Sequence, residues 1–110
     1  MEAIQPKEAL QPNIYQCGNT VHIDCKYELE TEGQFKLIDP ENVYINVYNY
    51  KYELQYRITQ DQITREDLGR YSYGLIAPME ETVIIYEWVG EVEEGYSNKR
   101  GSFRTVFLDY

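Results

Sequence analysis

The stretch Asp67-Leu68-Gly69-Arg70-Tyr71-Ser72-Tyr73-Gly74 constrains this chain more than any other. A polar turn runs into a strand there, and a tyrosine follows the glycine by two residues. In an Asp-x-Gly-x-Tyr arrangement the tyrosine hydroxyl can bond back to backbone just upstream and clasp a corner between two sheets. The expectation is therefore a tyrosine corner made by Asp67, Gly69 and Tyr71. The plainer alternative is a turn glycine followed by two ordinary strand tyrosines. Either way the feature concerns fold and carries no chemistry.

Strand patterns lie on both sides of it. Ile14 to Gln16 reads as a short first strand, turned by Gly18-Asn19. Thr20 to Leu29 then alternates, with Val21, Ile23, Cys25, Tyr27 and Leu29 on one face and His22, Asp24, Lys26 and Glu28 on the other, the period of a half-buried strand. Glu30 to Gln34 reads as a loop or hairpin turn, and Asp39-Pro40-Glu41-Asn42 as a second turn. From Val43 to Tyr50 the pattern puts Val43, Ile45 and Val47 inward and Tyr44, Asn46, Tyr48 and Tyr50 outward together. Lys51 to Thr59 repeats it through Tyr52, Leu54, Tyr56 and Ile58. Gln60 to Leu68 reads as a crossing connection with room for one helical turn, and Arg70 to Ile76 as the corner strand, ended by Pro78. Thr82 to Val92 is the longest candidate, and Ser97 to Leu108 returns beside it, with Gly101 marking a bulge.

About seven strands without helix-length periodicity predict an all-β fold, an immunoglobulin-like antiparallel β-sandwich over residues 14–110. Residues 1–13, with Pro6 and Pro12, precede it as an extended arm. Such an arm either frays or orders against a neighbouring subunit, which would make the protein a homo-oligomer.

A length of 110 residues fits one domain with a core of its own. The net charge of −9 repels phosphate backbones, so direct nucleic-acid binding is not expected. No apolar run approaches a membrane span and no signal-peptide pattern opens the sequence. The expected site of synthesis is the cytosol, with exit only as part of a larger particle. Cys17 and Cys25 are then expected as free thiols, a disulfide between adjacent strands being the alternative. There are 12 tyrosines, which strand propensity alone could explain, or which could furnish a surface meant to touch something.

Catalytic constellations are missing from the pattern. His22, the only histidine, falls on a polar strand face with no nucleophile tied to it. Zinc needs more Cys or His than the chain offers, and no cofactor loop is present. Glu28, Glu30 and Glu32 form one acidic cluster, and Glu80, Glu81, Glu87, Glu91, Glu93 and Glu94 a second. Carboxylates in turns and on strand faces read as solvated surface rather than a hydrolytic pair. The chain is not expected to be an enzyme, nor to hold a metal or cofactor.

Four segments in order carry a resemblance: Ile38-Asp39-Pro40-Glu41-Asn42-Val43-Tyr44-Ile45-Asn46-Val47-Tyr48, Gly69-Arg70-Tyr71-Ser72-Tyr73, Tyr86-Glu87-Trp88-Val89-Gly90 and Gly101-Ser102-Phe103. The chain resembles small immunoglobulin-like domain proteins encoded among the virion genes of tailed bacteriophages, over roughly residues 20–108. The resemblance implies a strand with Trp88 as the large core aromatic and Phe103 closing the core beside it. It also implies a virion structural protein, assembled in the host cytoplasm, that docks on capsid, neck or tail proteins. Tyr44, Tyr48 and Tyr50 are then the expected partner-binding residues. Two other readings remain at this stage. One is a host-surface module stacking carbohydrate on tyrosines; the other is an acidic inhibitor that mimics nucleic acid.

Overall fold

Alternation is what shapes this chain. In the strand Thr20–Lys26 (β2), Val21, Ile23 and Cys25 are buried while Thr20, His22, Asp24 and Lys26 are exposed. One face of such a strand must meet another apolar layer. The computed structural model describes residues 13–93 and 95–107, and within these the strands are β1 (Ile14–Gln16), β2, β3 (Glu28–Thr31), β4 (Gln34–Leu37), β5 (Asn42–Tyr48), β6 (Leu54–Ile58), β7 (Thr64–Asp67), β8 (Arg70–Ile76), β9 (Val83–Val92) and β10 (Gly95–Val106). A single 3-10 turn, Gln60–Gln62, lies between β6 and β7. The expected arm falls outside the described residues except for Asn13, as does Leu108 of the expected last strand.

The strands form a five-stranded sheet in the order β1-β10-β9-β5-β6, a three-stranded sheet in the order β2-β8-β7, and a separate hairpin, β3-β4. Pairing is antiparallel except that β1 runs parallel to β10, so the larger sheet is mixed rather than purely antiparallel. The two main sheets pack face to face. Val21, Ile23, Cys25, Tyr71 and Leu75 from the smaller sheet meet Val43, Ile45, Val47, Ile58, Trp88 and Phe103 from the larger in one buried cluster. Trp88 is 1% exposed and Phe103 3%; burying each such side chain contributes about 1.5–3 kcal/mol. Both occupy the core positions expected of them. Cys17 and Cys25 are free and buried.

Several expectations are corrected. Thr64–Asp67 is a strand, not a crossing connection, although all four of its residues are exposed and none alternates. Its existence depends on pairing with β8. Tyr27 does not continue β2 but ends it, 1% exposed, and the chain turns into the β3-β4 hairpin, leaving Leu29 in solvent. Gly101 is no bulge, because β9 and β10 pair without interruption across it. It is required because a Cβ there would collide with the Tyr86 ring. Gly90 is likewise capped by Tyr27, whose Cε1 would lie 2.6 Å from an added Cβ.

The expected tyrosine corner takes a different form. Asp67 to Tyr71 is the hairpin turn between β7 and β8, and the Tyr71 hydroxyl donates not to nearby backbone but to Asp39 Oδ1, 2.8 Å away and 32 residues upstream. The same oxygen accepts the Gly69 N–H at 2.8 Å, and Oδ2 accepts Arg65 Nε and Nη2 at 3.1 and 2.9 Å. Asp67 only caps its own turn, accepting the Leu68 N–H. Gly69 is irreplaceable for a geometric reason: its φ is +69°, and a Cβ would sit 2.9 Å from the carbonyl oxygens of Ile38 and Tyr27. Arg65 and the Gly69 amide, followed by Tyr71, hold the Asp39 carboxyl down to about 2. Burial, then the Asp39 carboxylate, pushes the Tyr71 phenol up to about 12. Asp39 thus ties the β4–β5 connection to the β7–β8 hairpin.

Candidate interaction surface

Register decides what the outer face of the five-stranded sheet presents. Ile45 pairs with Ile58 and Trp88 on the core side, so the neighbouring positions point away from it. There Arg57 lies opposite Asn46, Asn46 opposite Glu87, and Glu87 opposite Arg100. Four strands therefore contribute one residue each to a straight row, Arg57–Asn46–Glu87–Arg100, crossing β6, β5, β9 and β10. Cross-strand neighbours of this kind are close enough to bond directly.

They do so. Arg57 Nε donates to Asn46 Oδ1 at 2.8 Å, and Arg100 Nη2 donates to Glu87 Oε2 at 3.0 Å. The Tyr48 hydroxyl donates to the second Glu87 oxygen, Oε1, at 3.3 Å. Asn46 and Glu87 are each only 8% exposed, whereas the Arg100 side chain is 55% exposed. The polar residues at the centre of the row are thus covered by the aromatic and guanidinium groups around them. Burial, then the Glu87 carboxylate, pushes the Tyr48 phenol up from its ordinary value.

Tyrosines flank the row at both ends. The Arg57 guanidinium carbon lies 4.2 Å from the Tyr44 ring centroid, and that of Arg100 lies 4.8 Å from Tyr52. The Tyr48 and Tyr52 centroids are 4.7 Å apart. Contacts between guanidinium and ring faces are favourable and hold both groups in place.

Tyr44 and Tyr48 therefore lie on the outer face as expected, but Tyr50 does not join them. β5 ends at Tyr48, and the turn from Asn49 to Glu53 breaks the period of two. Asn49 Oδ1 accepts the N–H groups of Lys51 and Glu53, both at 2.9 Å, and its backbone bonds Tyr52 and Glu53. Tyr50, 62% exposed, is carried to the open end of the sandwich. There it lines a cavity of about 540 Å³ with Val47, Tyr56, Leu75 and Ile84, opened because β7 pairs only with the first part of β8. Tyr52 takes the vacated place with a φ of +65°, a left-handed conformation rare for an aromatic residue.

Sequence reasoning put Asn46 on the outer face with Tyr44 and Tyr48 but missed Tyr52, Arg57, Glu87 and Arg100 as parts of the same surface. Asn46 and Arg57 were legible in principle as facing residues of a β5–β6 hairpin; Glu87 and Arg100 needed the β9–β10 register. The second acidic cluster divides: Glu80 and Glu81 follow the far end of β8, whereas Glu91, whose carbonyl accepts the Glu41 N–H, lies at the end where Tyr27 leads into β3 with Glu28 and Glu30. Among the described residues no three His, Cys, Asp or Glu side chains group as a metal site. Comparison with family models, with curated proteins and with solved structures returns no match.

Proposed function

We propose that this chain is a non-enzymatic immunoglobulin-like module of a tailed-phage virion, which docks on capsid, neck or tail proteins through the outer face of its five-stranded sheet. The observation that carries the docking reading is the Arg57–Asn46–Glu87–Arg100 row with Tyr44, Tyr48 and Tyr52 packed around it. Tyrosines and arginines anchor protein interfaces: a tyrosine covers large area at low entropy cost, and these arginines are already held against tyrosine rings. The immunoglobulin-like reading is supported by the strand order. A sheet of β10-β9-β5 extended by β6, facing β2-β8-β7, parallels the variable-type arrangement in which an added edge strand enlarges one sheet. The free cysteines and the position of Trp88 on β9 depart from antibody domains. The virion assignment rests on the sequence resemblance, and multivalent attachment to a symmetric particle would raise a modest single-site affinity.

Carbohydrate stacking fits this face less well, because guanidinium groups already lie over the Tyr44 and Tyr52 rings. The test is co-elution of the purified chain with phage particles, empty capsids and isolated tails on size-exclusion chromatography. The expected result is stoichiometric retention on one of these, lost in the double variant Tyr44→Ser, Tyr48→Ser. Retention of that variant at wild-type level would place docking elsewhere on the molecule. Failure of the wild-type chain to bind any particle, with a signal on a glycan array, would replace the reading altogether.

A further inference from the structure

The outer face is electrostatically out of character with the rest of the chain. Net charge is −9, yet the outward strand positions of this face carry Arg57, Arg100 and Arg104 against Glu87 and Glu91. Glu87 is moreover consumed, with one oxygen on Tyr48 and the other on Arg100.

The arginines are not consumed. Arg57 uses Nε on Asn46, and among the described residues its two terminal nitrogens have no hydrogen-bond partner. Among the described residues Arg100 gives Nη2 to Glu87 and makes no other hydrogen bond. Arg65 shows the alternative, committing both Nε and Nη2 to Asp39. Each outer-face guanidinium also rests on a tyrosine ring, which fixes its plane and lowers the entropy lost when it binds. Two oriented forks with free N–H donors match carboxylates, which accept such donors in pairs.

We infer that the partner of this face is an acidic protein surface, whose Asp or Glu carboxylates are received by Arg57 and Arg100 beside Tyr44 and Tyr52. This rests on the docking reading above and names the chemistry of its partner. With a net charge of −9 over the whole chain, a face whose cations outnumber its anions favours one orientation for an acidic protein, so charge helps set the orientation of docking as well as its site. A nucleic-acid backbone carries its charge continuously, and would run off this face onto Glu80, Glu81 or Glu93. The left-handed backbone at Tyr52 fits the same purpose: it is the conformation that brings the ring against both Tyr48 and Arg100.

The test is an NMR titration of the full chain, reading backbone amides and the arginine Nε–Hε signals. The probes are a synthetic decapeptide of Glu and Gly, the same peptide with Gln for Glu, and a single-stranded oligonucleotide. Saturable shifts of the Arg57 and Arg100 side-chain signals are expected with the Glu peptide, with the Gln peptide at least about tenfold weaker. The Glu peptide should also shift backbone amides of β5, β6, β9 and β10 around the row, and in the double variant Arg57→Gln, Arg100→Gln these backbone shifts should vanish while the folded spectrum persists. The inference is overturned if the Glu peptide shifts neither arginine, if the Gln peptide binds equally, or if the oligonucleotide binds more tightly. Particle retention separates the two claims. Loss with Tyr44→Ser, Tyr48→Ser but not with Arg57→Gln, Arg100→Gln would keep the docking face and reject the acidic partner; loss with neither would reject the face.

Discussion

Two carboxylates in this molecule gather the same kinds of ligand. Asp39 accepts from Arg65, from the Tyr71 hydroxyl and from a backbone amide; Glu87 accepts from Arg100 and from the Tyr48 hydroxyl. Their difference lies in where the donors come from and how many are left over. The partners of Asp39 are 26 to 32 residues away and belong to a separate hairpin, and Arg65 gives it two donors, Nε and Nη2. Those of Glu87 sit on adjacent strands of one sheet, and Arg100 gives it a single donor, Nη2. A satisfied cluster that joins distant segments holds a fold together. A cluster with spare donors on an open face is available to something else.

The largest effect that sharpens this contrast is Asp39→Ala. It strands the Gly69 amide and the buried Tyr71 hydroxyl, and should lower stability by about 2–4 kcal/mol. Glu87→Ala leaves donors that water can reach and should cost about 1 kcal/mol or less. Urea midpoints measured side by side decide it, and equal losses would dissolve the distinction. Acid comes next. The Asp39 carboxyl lies at about 2 when folded, below its ordinary 3.8. A depressed value contributes stability that is full above the ordinary one and is lost as pH falls through the folded one. Thermal melts should therefore fall between about pH 4 and about pH 2, and Asp39→Asn should flatten that segment. The smallest effect is at Tyr52. Tyr52→Gly relieves a positive φ that Tyr52→Ala keeps, so the glycine variant should be the more stable of the two by about 1 kcal/mol. An alanine variant of equal stability would mean the turn carries no strain.

Much of this was legible in local pattern. The alternation of β2 and β5 put Val21, Ile23, Val43, Ile45 and Val47 in the core, where they are, while Trp88 and Phe103 were expected there from the resemblance and are buried. What failed was whatever depends on distant pairing. β7 is four exposed residues with no periodicity of its own. Asp39 looked like a turn residue because its donors are a quarter of the chain away. Tyr50 and Tyr52 exchanged places because Asn49, whose side chain organises the turn, ended the strand two residues earlier than hydrophobicity suggested.

The parallel pairing of β1 with β10 has a mechanical consequence. Ile14 to Gln16 runs alongside Arg104 to Val106 in the same direction, flanked by Arg104 N–H to Asn13 O and Cys17 N–H to Val106 O, each at 2.9 Å. A pull applied between the two ends of the chain drags these strands past one another lengthwise. The bonds joining them are then loaded together and must yield in concert, instead of opening one after another like a zip. A short patch at the sheet edge therefore stands between a stretched chain and the loss of its core, and tension is met first at the point where the ends are laced side by side.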